Sequence, residues 1–194
     1  MKRLFDFVFS SLGIIVLLPL FAGIALAIKM DNAGPVFFRQ ERIGKDFKAF
    51  RIYKFRTMAH NSGQNGPKIT SSHDKRITRT GKYLRRYKLD ELPQLFNVLK
   101  GDMSFVGPRP EVEEYVNIYK SDYSRLLRIR PGITDPASIQ YSNEETILAS
   151  ADNWEEAYKK KILPEKIRLS LHYVDHHNLS TDLKLICKTI LKIT

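Results

Sequence analysis

The longest unbroken apolar pattern lies near the start of the chain. From Phe7 to Ile28, FVFSSLGIIVLLPLFAGIALAI, no position is charged. As a helix rising about 1.5 Å per residue, those 22 residues reach roughly 33 Å, enough to cross a hydrocarbon core of about 30 Å. Lys2 and Arg3 precede the run, and Ala25 and Ala27 form an A-x-A. The apolar pattern continues straight through those alanines with no polar cleavage region, which argues against a removable signal. Pro19 sits near the middle, where a missing N–H and a clash with the preceding turn predict a kink. A straight spanning helix would strand one of its two basic flanks outside, against the positive-inside tendency. A re-entrant helix that bends at Pro19 and leaves by the face it entered keeps both flanks in the cytoplasm, and residues 1–30 are read this way.

Beyond residue 30 the pattern shortens. Pro35–Gln40 and Phe47–Met58 are rich in aromatic and β-branched residues, and Ile43-Gly44-Lys45-Asp46 between them reads as a hairpin turn. His60 to His73 is polar, with Gly63, Gly66 and Pro67, and reads as a long functional loop. Arg79–Lys88 has helical character. Pro93 suits the first turn of a new helix, Leu92, Leu95, Phe96 and Leu99 give it an apolar stripe, and Gly101 is a natural stop. Trp154–Tyr173 and Asp182–Ile193 read as two further helices, the first kinked or split at Pro164. The pattern predicts an α+β chain, mostly α: a membrane helix over 1–30, then a compact cytosolic domain over 31–194 with a short β-hairpin and several helices on the membrane surface. Leu163, Leu169 and their neighbours offer one such surface.

Charge narrows the partner. The chain nets +11, but Arg39–Lys88 holds 15 Lys/Arg against 3 Asp/Glu, a net +12, whereas the remainder carries 17 against 18. Basicity confined to one region points to an anionic partner, whether phosphorylated molecules, an acidic membrane surface or nucleic acid. A single cysteine, Cys187, excludes an intramolecular disulfide framework and fits a reducing compartment. Its apolar neighbours Leu185 and Ile186 place it in a core. His172, His176 and His177 have i, i+4 spacing without a third ligand nearby and read as a polar helix face.

Within this basic region, KLDELPQLF places Asp90 and Glu91 side by side where a helix begins. Acids there gain about 0.3–1 kcal/mol from the helix dipole, which is sufficient reason for many such pairs. Here, however, Arg85, Arg86 and Lys88 come just before, and Gly107-Pro108-Arg109-Pro110 follows. Arginines around a helix start collect phosphate. A carboxylate among them could hold Mg²⁺ or attack phosphorus.

HDKRITRTGKYLRRYKLDELPQLFNVLKGDMSFVGPRPE resembles the core of the bacterial sugar transferase family, the monotopic phosphoglycosyl transferases. GPVFFRQERIGKDFKAFRIYKFRTM looks like that family's N-terminal block. The proline-broken apolar helix, RPGIT and the C-terminal helices fit as well, so the resemblance covers essentially the whole chain, in the family's small form. It implies transfer of a sugar 1-phosphate from a nucleotide-diphosphate sugar, usually a UDP-sugar, to polyprenol (undecaprenyl) phosphate, with release of UMP. It implies Asp90 as the nucleophile forming a phosphosugar–aspartyl intermediate, Glu91 as its partner, and Mg²⁺ beside the pair. Arg85 and Arg109, with Arg86 and Lys88, would hold phosphate oxygens. The place would be the cytoplasmic face of a bacterial inner membrane, among its lipids, at the first membrane step of a glycan pathway. Nucleic acid is not an expected partner, and no oligomeric state is specified. Asp135–Glu144 departs from the family pattern and lacks the arginine usual there, so no nucleotide or sugar contact is assigned to it. Two rivals make different predictions. A membrane-tethered module binding nucleic acid or anionic lipid through Phe47, Phe50, Tyr53 and Phe55 would not need Asp90. An enzyme moving sugar alone would release UDP.

Overall fold

The computed structural model describes residues 1–60, 74–149 and 153–193. Residues 61–73 of the predicted polar loop lie outside the described residues. The apolar run forms one helix, α1 (Lys2–Asp31), with Pro19 inside it. At about 1.5 Å per residue it is about 45 Å long. Phe21, Ile24 and Ile28 are buried, while Leu4, Phe7, Val8, Leu12, Ile15 and Val16 are among the exposed apolar side chains. Along this stretch α1 leaves a broad apolar surface that no other described residue covers.

Both ends of α1 hold the same body. Near its start, Lys2 donates to Asp182 at 2.7 Å and to the Val106 carbonyl at 2.8 Å, and Arg3 donates to the Leu99 carbonyl at 2.8 Å. Just beyond its other end, Arg56 donates to the carbonyls of Asn32 (2.5 Å) and Ala33 (2.7 Å), while Asp31 accepts from the Thr80 amide at 2.7 Å.

The predicted hairpin is β1 (Phe37–Ile43) antiparallel to β2 (Ala49–Phe55), pairing Phe37 with Phe55 and Ile43 with Ala49. Its turn differs from a two-residue connection: Lys45–Phe47 makes a single 3₁₀ turn in which Asp46 and Phe47 both take positive φ. Next come α2 (Arg79–Arg86), a 3₁₀ turn (Leu89–Glu91) and α3 (Gln94–Lys100). Gly101 ends α3 at φ +94, a left-handed stop that glycine reaches without steric cost. β3 (Ser104–Val106) follows, then α4 (Glu113–Ile118), α5 (Lys120–Leu126) and β4 (Gly132–Thr134), which pairs parallel with β3. Helices α6 (Pro136–Gln140), α7 (Glu144–Ala149) and α8 (Trp154–Ala157) are short. A π-helical turn, Tyr158–Ile162, leads into α9 (Leu163–His176), and α10 (Leu179–Ile193) ends the fold. The helical run is not split at Pro164: it continues from Trp154 to His176, with the π turn Tyr158–Ile162 just before the proline, a local widening that accommodates a residue lacking an N–H donor.

One apolar cluster joins the second half of α1 to Phe55, Leu84 and Leu95; another joins Tyr115, Tyr123, Tyr158, Leu163 and Ile167 from α4, α5, the π turn and α9. Two expectations change here. Leu163 is 1% exposed, so α9 packs inward at that position instead of presenting it to a membrane; among the C-terminal elements, α10 carries exposed apolar residues at Leu179, Leu183, Ile190 and Leu191. Cys187 is exposed, not core, because α10 turns that part of its surface away from the body.

Candidate active site

Three local devices bring the site residues together. Thr78 caps α2 by accepting from the Gly81 amide at 3.0 Å, which fixes the helix carrying Arg85 and Arg86. Lys88 then takes a left-handed conformation, φ 54, and reverses the chain so that the next turn carries Asp90 inward. Such a conformation in a non-glycine residue is uncommon and costs of the order of 1 kcal/mol. The third device is Asn97 on α3, fully buried, whose Oδ1 accepts from the Tyr53 amide (2.9 Å) and whose Nδ2 donates to the Arg51 carbonyl (2.8 Å). This pins α3 along the free edge of β2 and sets Lys54 opposite Glu91.

The two adjacent carboxylates end up in opposite situations. Glu91 is clamped: Lys54 Nζ donates to Oε1 at 2.7 Å, and Arg109 donates to Oε1 at 2.5 Å and Oε2 at 3.3 Å. Burial alone would raise its carboxyl, but Arg109 and Lys54 outweigh burial and hold it well below the usual glutamate range. Asp90 is 9% exposed, yet its carboxylate has no hydrogen bond or ion pair among the described residues. Burial pushes the Asp90 carboxyl up and the charge on Glu91 adds to that, against Lys54, Arg85 and Lys88. A buried carboxylate left unpartnered beside a saturated one is costly for stability, so it calls for an explanation beyond packing.

The predicted cations divide by role. Arg85 and Lys88 lie within electrostatic reach of Asp90. Arg109 spends its fork on Glu91, with 31% of its side chain still exposed. Arg86 is exposed and stacks over Tyr87 at 5.6 Å. Lys54 was not among the expected site residues. Its signal was available: by strand alternation it shares a face with buried Ile52, where a lysine needs a partner.

Arg109 is aimed by the β3–β4 pair. Gly107 and Gly132 approach so closely that a Cβ on Gly132 would lie 2.1 Å from the Gly107 nitrogen. Only glycine permits this contact, and Arg109 follows Gly107 by two residues, just beyond the end of β3. The atypical segment has a structural role at its start: Asp135 caps α6 through the Ser138 amide (2.7 Å) and accepts from Ser170 at 2.6 Å.

No cluster of three or more metal-ligating side chains occurs among the described residues, which disfavours an all-protein metal cage. Mg²⁺ commonly takes only one or two carboxylates and completes its shell with substrate phosphates and water. The unpartnered Asp90 fits that pattern, whereas Glu91 has both oxygens engaged. His172, His176 and His177 lie exposed on the end of α9 and just beyond, as their spacing suggested.

The signature of the bacterial sugar transferase family matches residues 1–194. The chain belongs to the bacterial sugar transferase family. It is 36% identical over 198 residues to the uncharacterized sugar transferase EpsL of Bacillus subtilis (strain 168), covering the whole chain and 87% of that protein. It is also 38% identical over 192 residues to a UDP-N-acetylgalactosamine-undecaprenyl-phosphate N-acetylgalactosaminephosphotransferase of Aeromonas hydrophila, covering 97% of the chain and 42% of that protein. A UDP-glucose:undecaprenyl-phosphate glucose-1-phosphate transferase of Klebsiella pneumoniae is 39% identical over 194 residues, covering 98% of the chain. The chain spans about two fifths of the length of these last two relatives.

Proposed function

We propose that this bacterial sugar transferase moves a sugar 1-phosphate from a UDP-sugar to undecaprenyl phosphate and releases UMP. The observation that carries the reading is the asymmetry of the acidic pair: Glu91 locked by Lys54 and Arg109, Asp90 buried and unpartnered next to it. Asp90 attacks the β-phosphorus of the donor with a carboxylate oxygen. The bond from that phosphorus to the bridging oxygen breaks, and its electrons leave with UMP. An oxygen of the lipid phosphate then attacks the same phosphorus, and the Asp90–phosphorus bond breaks to restore the carboxylate. Glu91 holds Lys54 and Arg109 in place, so the exposed parts of these cations, with Arg85 and Lys88, meet phosphate oxygens and offset charge during transfer. Mg²⁺ beside Asp90 would supply neutralisation of the donor diphosphate.

The membrane setting follows from α1. Its exposed apolar side chains suit hydrocarbon, and both ends are tied to one body, which a helix crossing fully to the far side could not achieve. This supports entry and exit on one face, with the exposed apolar residues of α10 resting at the interface. Lipid acceptor and carboxylate then meet at the bilayer surface, at the cytoplasmic face of a bacterial inner membrane.

The test is nucleotide release. Purified protein in detergent, with Mg²⁺ and undecaprenyl phosphate, is offered a panel of UDP-sugars. UMP appearing with one donor is the expected result. UDP would mean transfer of sugar alone and remove Asp90 as nucleophile. Without the lipid acceptor, a gain of one sugar phosphate in intact mass, lost in Asp90→Asn, reports the covalent intermediate.

A further inference from the structure

A second cationic cavity lies away from the acidic pair. This open cleft is lined by Lys2, Arg3 and Asp6 of α1, Lys45 in the β1–β2 turn, and Arg128 and Arg130 between α5 and β4, among others, with a volume of about 160 Å³. Five cations thus face one carboxylate, and that carboxylate is spoken for: Asp6 accepts from the Ser104 hydroxyl (3.1 Å) and the Phe105 amide (3.2 Å). Lys2 and Arg3 are also committed, to Asp182 and to backbone carbonyls. Arg128 has no ion pair among the described residues, and the nearest acid to Lys45 is Asp46 at 4.0 Å. Arg130 uses Nε on the Gly101 carbonyl at 2.7 Å, leaving its two terminal nitrogens. The group is held together by design of the backbone. The Asp46 amide donates to the Leu127 carbonyl at 2.8 Å, which fixes the strained β1–β2 turn, and so Lys45, beside Arg128.

Like charges gathered into a cleft repel unless an anion joins them. The surroundings specify which anion. Phe7 lies one helical turn on from Arg3, and Leu4, Phe7 and Val8 are exposed. An apolar ladder leading from a basic pocket matches an acyl chain leading from a phosphate head. The reacting phosphate is not the occupant: Asp90 and Glu91 precede α3, while the cavity meets its far end at Gly101, about 10 Å along a helix of seven residues.

We propose that this cavity binds the phosphate headgroup of an anionic membrane phospholipid, whose acyl chains lie along Leu4, Phe7 and Val8. The proposal rests on the membrane reading of α1 but not on the transferase chemistry. Such a site fixes the depth and roll of α1 in the bilayer, and therefore where the active site meets its lipid.

Native mass spectrometry of the full chain in detergent, titrated with phosphatidylglycerol and without any sugar donor, tests it. One retained lipid is expected. Lys45→Glu with Arg128→Glu, both outside the active site, should weaken retention about tenfold or more, while Asp90→Asn leaves it unchanged. Equal retention by the double variant overturns the proposal, as does loss in Asp90→Asn, which would put the lipid at the active site. Displacement by millimolar glycerol phosphate would make the ligand a free phosphate, and displacement by stoichiometric undecaprenyl phosphate would make it the acceptor; either result overturns the assignment. A chain that needs no detergent would overturn the membrane reading itself, a result distinguishable from failure of the pocket alone.

Discussion

At the scale of single residues, the proposed chemistry rests on how two neighbouring acids are treated differently. If Asp90 is the nucleophile, Asp90→Asn should lower UMP release by on the order of 10³-fold or more, with the fold intact by circular dichroism. Relief of an unpaired buried charge should also raise the melting temperature of that variant. The clamp should show in pH profiles. Burial raises the Asp90 carboxyl, and Lys54 is the strongest opposing charge. Only the carboxylate attacks, so activity should climb as pH rises through the raised pKa of Asp90. Lys54→Met removes the main cation favouring the ionised form, raises that pKa further, and should move the acid limb of kcat/KM to higher pH. An acid limb left in place would mean that Asp90 does not set it. Arg109→Met should weaken the clamp on Glu91 and lower stability by about 1.5–3 kcal/mol, read from the urea midpoint.

At the scale of elements, the site is assembled by contacts that replace sheet pairing. β2 has β1 on one edge and the Asn97 side chain on the other. Asn97→Leu keeps the volume but orphans the Tyr53 amide and Arg51 carbonyl, at about 1–3 kcal/mol each. The expected outcome is a lowered urea midpoint together with lost activity, because Lys54 no longer faces Glu91. The β3–β4 pair is the other joint. Its strands are three residues each, too short to register as a pattern, yet they aim Arg109. What marked them in the sequence was Gly107 and Gly132, whose meaning emerges only when their backbones are seen to touch.

At the scale of the whole molecule, the proposed membrane setting makes α1 the element that decides what the active site can reach. Cys187 is the chain's one cysteine. In a Cys187→Ser background, a cysteine inserted directly after Met1 and, separately, Met30→Cys place single thiols beside exposed positions at the two ends of α1. In sealed vesicles both should react with an impermeant maleimide from the same side. Labelling from opposite sides would establish a spanning helix. The gathering of basic residues between Arg39 and Lys88 also takes on spatial meaning here. Lys54, Arg85 and Lys88 surround Asp90, while Lys45 joins Arg128 and Arg130 in a separate cavity.

The sequence by itself determined the elements whose signal is local. The α1 run, the hairpin, α2, the start of α3 and its stop at Gly101 all follow from hydrophobic period, turn chemistry and capping, which act within a few residues. It also determined the acidic pair, because two adjacent carboxylates in a strongly basic stretch are anomalous wherever the chain goes. Tertiary structure alone decided which acid is clamped and which is left unpartnered, since Lys54 and Arg109 lie 37 and 18 residues away from Glu91. It decided as well that Leu163 is core while Cys187 is exposed. A helix's amphipathic period tells that one face is buried, but what it meets depends on which elements arrive from elsewhere in the chain.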